Sequence, residues 1–175
     1  MKIGIDFGTC FSSIGFMNGR RPVTNILDDR NNSGIPTLFM YSKSKNEELY
    51  GYDCTTFEAI INNKDVVRYM KKMVRDNPNN LNKIVTSGGK NFTIREILKK
   101  YLKYLIAQSQ VAATKSFEFE SSYIENITIT TPVAISSGSM TSTDYKQLLV
   151  DTIKEITGLD YSNINVVEEP VAAAI

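Results

Sequence analysis

Gly4-Ile5-Asp6-Phe7-Gly8-Thr9 is the stretch on which the fold turns. Residues 2–6 alternate as a strand does, residues 11–17 are rich in β-formers, and Gly8-Thr9-Cys10 lies between them as a turn, so the chain begins with a β-hairpin. The first strand delivers a carboxylate, Asp6, to a tight glycine turn. Consecutive backbone N–H groups in such a turn form an anion-binding concavity, and a carboxylate at a strand end can hold a hydrated Mg²⁺. Alone, the hexapeptide is equally an ordinary hairpin with an aspartate near its turn.

Working outward, Asn18-Gly19 is a strong hairpin signal, and residues 22–27 supply a third strand of an antiparallel meander before a polar loop at 28–34. Residues 37–41 read as a strand, and 43–48 as an exposed turn before Leu49 and Tyr50. Asp53 or Thr55 is placed to cap a helix through Asn62. Asp65 is placed to cap another through Val74, with Val66, Val67, Met70, Met73 and Val74 at helical spacing. Residues 83–86 and 91–94 form a hairpin around Ser87-Gly88-Gly89-Lys90. Thr93 and Glu96 then make a capping box that opens a long helix to about Lys115, with Ile94, Ile97, Leu98, Tyr101, Leu102, Leu105 and Ile106 on one face.

The last third returns to strand-helix-strand. Residues 127–131 are a β-branched strand stopped by Pro132; a Ser/Thr/Gly loop follows, then a helix over 143–157 ended by Gly158, then a strand at 164–167. Glu168-Glu169-Pro170 opens a helix that begins Val171-Ala172-Ala173-Ala174-Ile175. Carboxylates there also complement the positive end of a helix dipole, so by themselves they need no catalytic reading. Together with Asp6, however, they put carboxylates at strand ends near both termini of the chain.

Composition narrows the chemistry. The chain has 175 residues, 42% apolar and 22% charged, which is the balance of a globular protein with one sizeable core. Twenty basic against nineteen acidic residues give a net charge of +1, with no basic surface suited to nucleic acid or anionic lipid. No apolar run reaches the roughly 20 residues needed to cross a bilayer, and the strand-like start leaves no room for a signal peptide, so no membrane and a cytoplasmic location are expected. Cys10 and Cys54 read as free thiols. With no histidine at all, Ser-His and Cys-His nucleophile pairs are excluded, and chemistry must rest on carboxylates, lysines, hydroxyls and bound metal.

Gly4 to Ser12 resembles the first phosphate motif of the actin, sugar-kinase and heat-shock ATPase superfamily, and Val167 to Ile175 resembles its first connecting motif. Within it, Arg68-Tyr69-Met70-Lys71-Lys72-Met73-Val74-Arg75 is similar to the segment of seventy-kilodalton heat-shock chaperones that carries a catalytic lysine. Gly89 to Leu98 is similar to their hairpin-to-helix junction, and Thr130-Thr131-Pro132-Val133 to a strand ending in Thr-Val-Pro. The resemblance implies an α/β fold: an actin-like, ribonuclease H-like mixed sheet with flanking helices built from residues 1–36 and 110–175 (subdomain IA), and a smaller α/β subdomain inserted at 37–109 (subdomain IB). This is lobe I only; lobe II and the peptide-binding domain are not among these residues.

The resemblance also implies roles. Asp6 would bind Mg²⁺ through water; Gly8, Thr9, Cys10 and Phe11 would cradle the phosphates of ATP or ADP; Lys71 would contact the γ-phosphate and attacking water; and Glu169 would orient that water or the metal shell. Phosphoryl transfer needs positioning and charge neutralisation with no covalent nucleophile, which suits a chain without histidine. Lys72 is one register step from Lys71 and is its rival for the role. Cys10 and Phe11 stand where chaperones usually have Thr and Tyr, which leaves the cradle to backbone amides, and Val133-Ala134-Ile135 with the loop at 136–143 departs from the family pattern. The parent would be an ATP-dependent chaperone whose partners are unfolded peptides, a J-domain protein and a nucleotide exchange factor. An actin-like filament former shares Asp6, Gly8, Thr9 and Glu169 and is the alternative; a sugar kinase would need a sugar pocket that these residues lack.

Overall fold

The structure is a computed structural model and describes residues 1–18, 21–23, 34–56, 61–77, 79–117, 123–131 and 141–169. In chain order its elements are β1 (Lys2–Asp6), β2 (Phe11–Asn18), β3 (Arg21–Val23), β4 (Ile35–Pro36), β5 (Phe39–Ser42), β6 (Glu47–Tyr50), α1 (Met70–Asp76), β7 (Ile84–Ser87), β8 (Lys90–Thr93), α2 (Ile94–Phe117), β9 (Asn126–Thr131), α3 (Ser142–Thr157) and β10 (Ile164–Glu168). The protein is α/β, with a mixed sheet and flanking helices.

β1 lies in the middle of the main sheet, whose order is β10-β9-β1-β2-β3 with β4 also on β2. It pairs antiparallel with β2, placing Ile5 opposite Ile14, and parallel with β9, placing Ile5 opposite Ile129. β10 runs parallel to β9 on the far side. The apolar alternation of β1 buries Ile3 and Ile5, as a strand with one face on a core must. All six strands of this sheet come from residues 2–36 and 126–168. The intervening chain makes two separate hairpins, β5-β6 and β7-β8.

The two parts share one buried cluster, which runs from Ile3, Ile5 and Phe7 through Phe39, Met70 and Val74 to Leu98, Tyr101 and Leu105 of α2. Aromatic rings fasten the two hairpins to each other and one of them to that helix. Phe39 meets Phe92 edge-on at 5.0 Å, and Tyr50 stacks on Tyr104 at 5.0 Å. The Tyr101 hydroxyl donates to the Pro36 carbonyl at 3.0 Å, and burial pushes its pKa up to about 12.

The Thr93–Glu96 capping box is present: the Glu96 carboxylate accepts from the Thr93 N–H at 2.6 Å, and Thr93 Oγ1 accepts from the Glu96 N–H at 3.1 Å. A second box opens α3, where Thr141 caps and Asp144 replies, so this helix begins one residue before the expected 143 and ends at Gly158 with φ 75°.

Three sequence expectations shift. Residues 66–69 are not helical, because Val67 exchanges two backbone hydrogen bonds with Phe39 (2.8 and 3.2 Å); α1 starts only at Met70, after Tyr69 turns the chain with φ 56°. Asp65 therefore caps nothing in α1; it belongs to a short 3₁₀ turn, Asn63–Asp65. Gly51–Thr55 is a 3₁₀ turn with Asp53 inside it, so Asp53 opens no α-helix there, while the helix placed after Thr55 falls mostly outside the described residues. The 37–41 strand is displaced to β5, and the exposed 43–48 turn is shorter because β6 already begins at Glu47. The Asn18-Gly19 turn, residues 24–27 of the third strand, most of the 28–34 loop, part of the helix expected through Asn62, the 132–140 loop and the helix after Glu169 lie outside the described residues.

Thr93→Ala is expected to lower stability by about 1 kcal/mol in denaturant unfolding, the usual cost of losing an N-cap. Acid should act in the same place. Hydrogen bonds from Thr93 hold the Glu96 carboxyl below its ordinary value; at Glu48 burial pushes upward, but hydrogen bonds from Lys100 and Tyr50 and the Lys100 charge pull its carboxyl below as well. Depressed carboxylates stabilise the fold above their unfolded pKa, so unfolding free energy should fall as the pH drops below about 4.5. Thr93→Ala should flatten that fall.

Candidate functional site

The parallel strands β1, β9 and β10 all end at one edge of the sheet, and in open α/β sheets the carboxyl edge is where ligands bind. That edge collects Asp6 from β1, Thr130 and Thr131 from β9, Glu168 from the end of β10, and Glu169 just after it. The exposed Asp6 carboxylate accepts a hydrogen bond from Thr130 Oγ1 at 2.6 Å, which ties its rotamer to the neighbouring strand.

Lys71 reaches this edge from the inserted region. It lies in the first turn of α1, only 8% exposed, and its ammonium donates to the Phe7 carbonyl at 2.9 Å and to Glu169 Oε1. A buried ammonium needs such partners, because removing a charge from water is costly unless it is paired and hydrogen-bonded. Lys72, one position on, is exposed. The helix period thus separates two adjacent lysines, one facing the sheet edge and one facing water. A second ion pair, Lys146 to Glu168 at 3.1 Å, sets the start of α3 beside the end of β10.

Between β1 and β2 the loop is held by Thr37. This fully buried residue donates from its N–H to the Cys10 carbonyl at 2.8 Å and from its hydroxyl to the Gly8 carbonyl at 3.0 Å, and its hydroxyl also meets Ser12 Oγ at 2.9 Å. Gly8 is required by space, since a Cβ there would stand 1.9 Å from the Phe11 carbonyl oxygen. With the Gly8 and Cys10 carbonyls both occupied by Thr37, the loop keeps a fixed shape at the surface, where Thr9, Cys10 and Phe11 are exposed.

Asp6, the start of the loop, Lys71 and Glu169 therefore meet at one edge. Phe11 is 58% exposed and, with Thr9 and Cys10, borders a separate cavity beside Tyr69 whose lining includes none of Asp6, Lys71 and Glu169. Sequence reasoning did not single out Thr37, Lys146, the role of Thr130, or Tyr145. Tyr145 is buried, and its hydroxyl has no hydrogen-bond partner among the described residues; burial first, and then the Glu169 charge, push its pKa far up, while Arg75 pulls it down. Thr130 next to Thr131 at a strand end was the one available signal, as alternation must turn one of the two outward. Thr37 carried none.

Among the described residues, no three His, Cys, Asp or Glu side chains stand close enough together to hold a metal ion by themselves. In the same residues no helix is long and apolar enough to cross a membrane. Both cysteines are free, Cys10 exposed and Cys54 buried, and burial together with the nearby Asp53 charge pushes the Cys54 thiol up to about 12. No family model matches the chain, and no curated protein matches it.

Two outcomes follow from this geometry. Lys71→Met should cost roughly 1.5–3 kcal/mol in denaturant unfolding, the range for hydrogen bonds to charged groups, whereas Lys72→Met should stay within about 0.5 kcal/mol. Thiol titration with an aromatic disulfide should find one reactive cysteine in the native protein, Cys10, and two after denaturation, because the buried Cys54 is almost wholly in its unreactive thiol form.

Proposed function

We propose that these residues form one wall of an ATP-hydrolysing site of the seventy-kilodalton heat-shock chaperone type, the first lobe of an actin-like, ribonuclease H-like ATPase domain. The observation that carries the reading is the meeting of Lys71 with Phe7 and Glu169 at the end of β1, from positions 64 and 98 residues apart in the chain. A buried lysine facing a glycine turn and a carboxylate is what γ-phosphate positioning requires. The division of strands supports the fold reading: among the described residues, the strands of the main sheet come from 2–36 and 126–168, as a core subdomain with an α/β insertion between would have them.

In this reading the N–H groups of Gly8, Thr9, Cys10 and Phe11 face the phosphate chain, since Thr37 already occupies the Gly8 and Cys10 carbonyls. Lys71 neutralises charge on the γ-phosphate, sharing its ammonium between Glu169 and the nucleotide. Glu169, 40% exposed at its side chain, orients the attacking water. Asp6 suits a hydrated Mg²⁺: it is a single exposed carboxylate with one oxygen tied by Thr130, and Mg²⁺ bound with substrate phosphates keeps most of its waters and needs only one or two carboxylates. The ion, when bound, would neutralise part of the phosphate charge.

The 175 residues hold no second glycine-rich phosphate motif and no adenosine motif. A micromolar nucleotide site is worth about 8 kcal/mol, and four charge-assisted contacts at about 1.5–3 kcal/mol each make up most of that. Peptide clients, a J-domain protein and an exchange factor belong, in this proposal, to the larger protein.

Calorimetry of this chain with ATP and Mg²⁺ should show no binding tighter than about 100 micromolar; tighter binding would overturn the one-wall reading. In a protein that joins these residues to the second lobe, Lys71→Ala should abolish a slow, peptide-stimulated ATPase while Lys72→Ala leaves it. Nucleotide-dependent pelleting of filaments, with no peptide stimulation, would instead favour the actin-like filament alternative.

A further inference from the structure

On the far side of the Thr9–Phe11 loop lies a cavity of about 350 Å³, a volume in the range that holds small organic molecules. Its walls come from four separate stretches of chain: the loop, the β4–β5 connection at Leu38, the 3₁₀ turn at Tyr52, and Arg68-Tyr69 ahead of α1. We propose that this cavity binds a small planar aromatic molecule bearing an anionic group. The cavity shares Thr9, Cys10 and Phe11 with the loop of the ATPase reading but none of Asp6, Lys71 and Glu169, and the proposal stands on the cavity's own lining.

Three observations point to that ligand class. First, three aromatic rings, Phe11, Tyr52 and Tyr69, border one space, with Leu38 adding aliphatic surface. Phe11 and Tyr69 are 58% and 51% exposed, and two large apolar groups left open to water beside the same concavity mark a binding surface rather than scattered exposure. Second, Tyr69 holds φ 56°, a left-handed conformation that a bulky residue adopts only when its surroundings impose it, and such residues concentrate at ligand sites. Val67 is locked to Phe39 on one side and Met70 is buried on the other, so Tyr69 takes the turn and its ring stays at the cavity wall.

Third, the charge is one-sided. Among the described lining residues Arg68 is the one charged side chain, with no carboxylate beside it in that set. Its described hydrogen bond, to Asn63 Oδ1, uses one of five guanidinium donors. A planar ring stacks on the tyrosines and phenylalanine while a carboxylate or phosphate meets the fork of Arg68, the geometry for which guanidinium is suited over ammonium. A neutral aliphatic molecule would use neither feature.

The test uses 2-naphthoate titrated into the intact 175-residue chain, followed by amide resonances. Saturable shifts are expected at Phe11, Leu38, Tyr52 and Tyr69, with a dissociation constant on the order of 1 millimolar, what a ligand of this size supports. Arg68→Gln should weaken binding about tenfold, and the neutral analogue 2-naphthalenemethanol should bind the unaltered chain about tenfold more weakly than 2-naphthoate. Equal affinity for the acid and the alcohol, shifts spread over the surface away from these residues, or no saturation by about 10 millimolar would each overturn the proposal. If Arg68→Gln fails to fold, the acid-against-alcohol comparison on the unaltered chain decides. The titration is run without nucleotide, so its outcome is read separately from that of the ATP calorimetry, and either proposal can fail while the other stands.

Discussion

A buried ammonium organises this molecule. Lys71 is nearly out of water, and that position is tenable only because the Phe7 carbonyl and the Glu169 carboxylate meet it. Those partners lie at the ends of β1 and β10, while the lysine lies on a helix inserted between two parts of one sheet. Satisfying one charge therefore requires the insertion to fold back onto the carboxyl edge. The apolar cluster that joins Met70 and Val74 to Phe7 and Tyr101 supplies the driving force, and the ion pair fixes where the packing stops.

The same edge gains its remaining groups from sheet register. β1, β9 and β10 run parallel, so they finish together and present Asp6, Thr130, Glu168 and Glu169 within one strip. The alternation of a strand then divides Thr130, which turns out to Asp6, from Thr131, which turns into the core. Thr37 does for the loop what Thr130 does for the carboxylate, holding it in one shape from behind.

Much of this could be read from the residues because the signals were local. The hairpin at Gly8, the Thr93–Glu96 box and the Gly158 stop each depend on neighbours within a few positions, and each appears in the structure. What could not be read depends on distant partners. Val66 and Val67 have helical spacing with Met70, but Val67 is claimed by Phe39, and β-pairing displaced the helix start. Lys71 is preferred to Lys72 by resemblance and not by spacing; which of the two is buried depends on where α1 starts. Thr37 and Tyr145 matter through what they meet across the chain, and neither stands in a pattern that announces it. The second surface of the loop was not legible either: Thr9, Cys10 and Phe11 also border a cavity with Tyr52, Arg68 and Tyr69, residues brought to them from 40 and more positions away.

The central claim is that Lys71 and Glu169 interact in a partly buried site and so couple the insertion to the sheet edge. A double-mutant cycle with Lys71→Met, Glu169→Gln and the double variant, read by denaturant unfolding of the chain at neutral pH, measures that coupling directly. The account predicts an interaction energy of about 1 kcal/mol or more; additive effects, with coupling near zero, would contradict it.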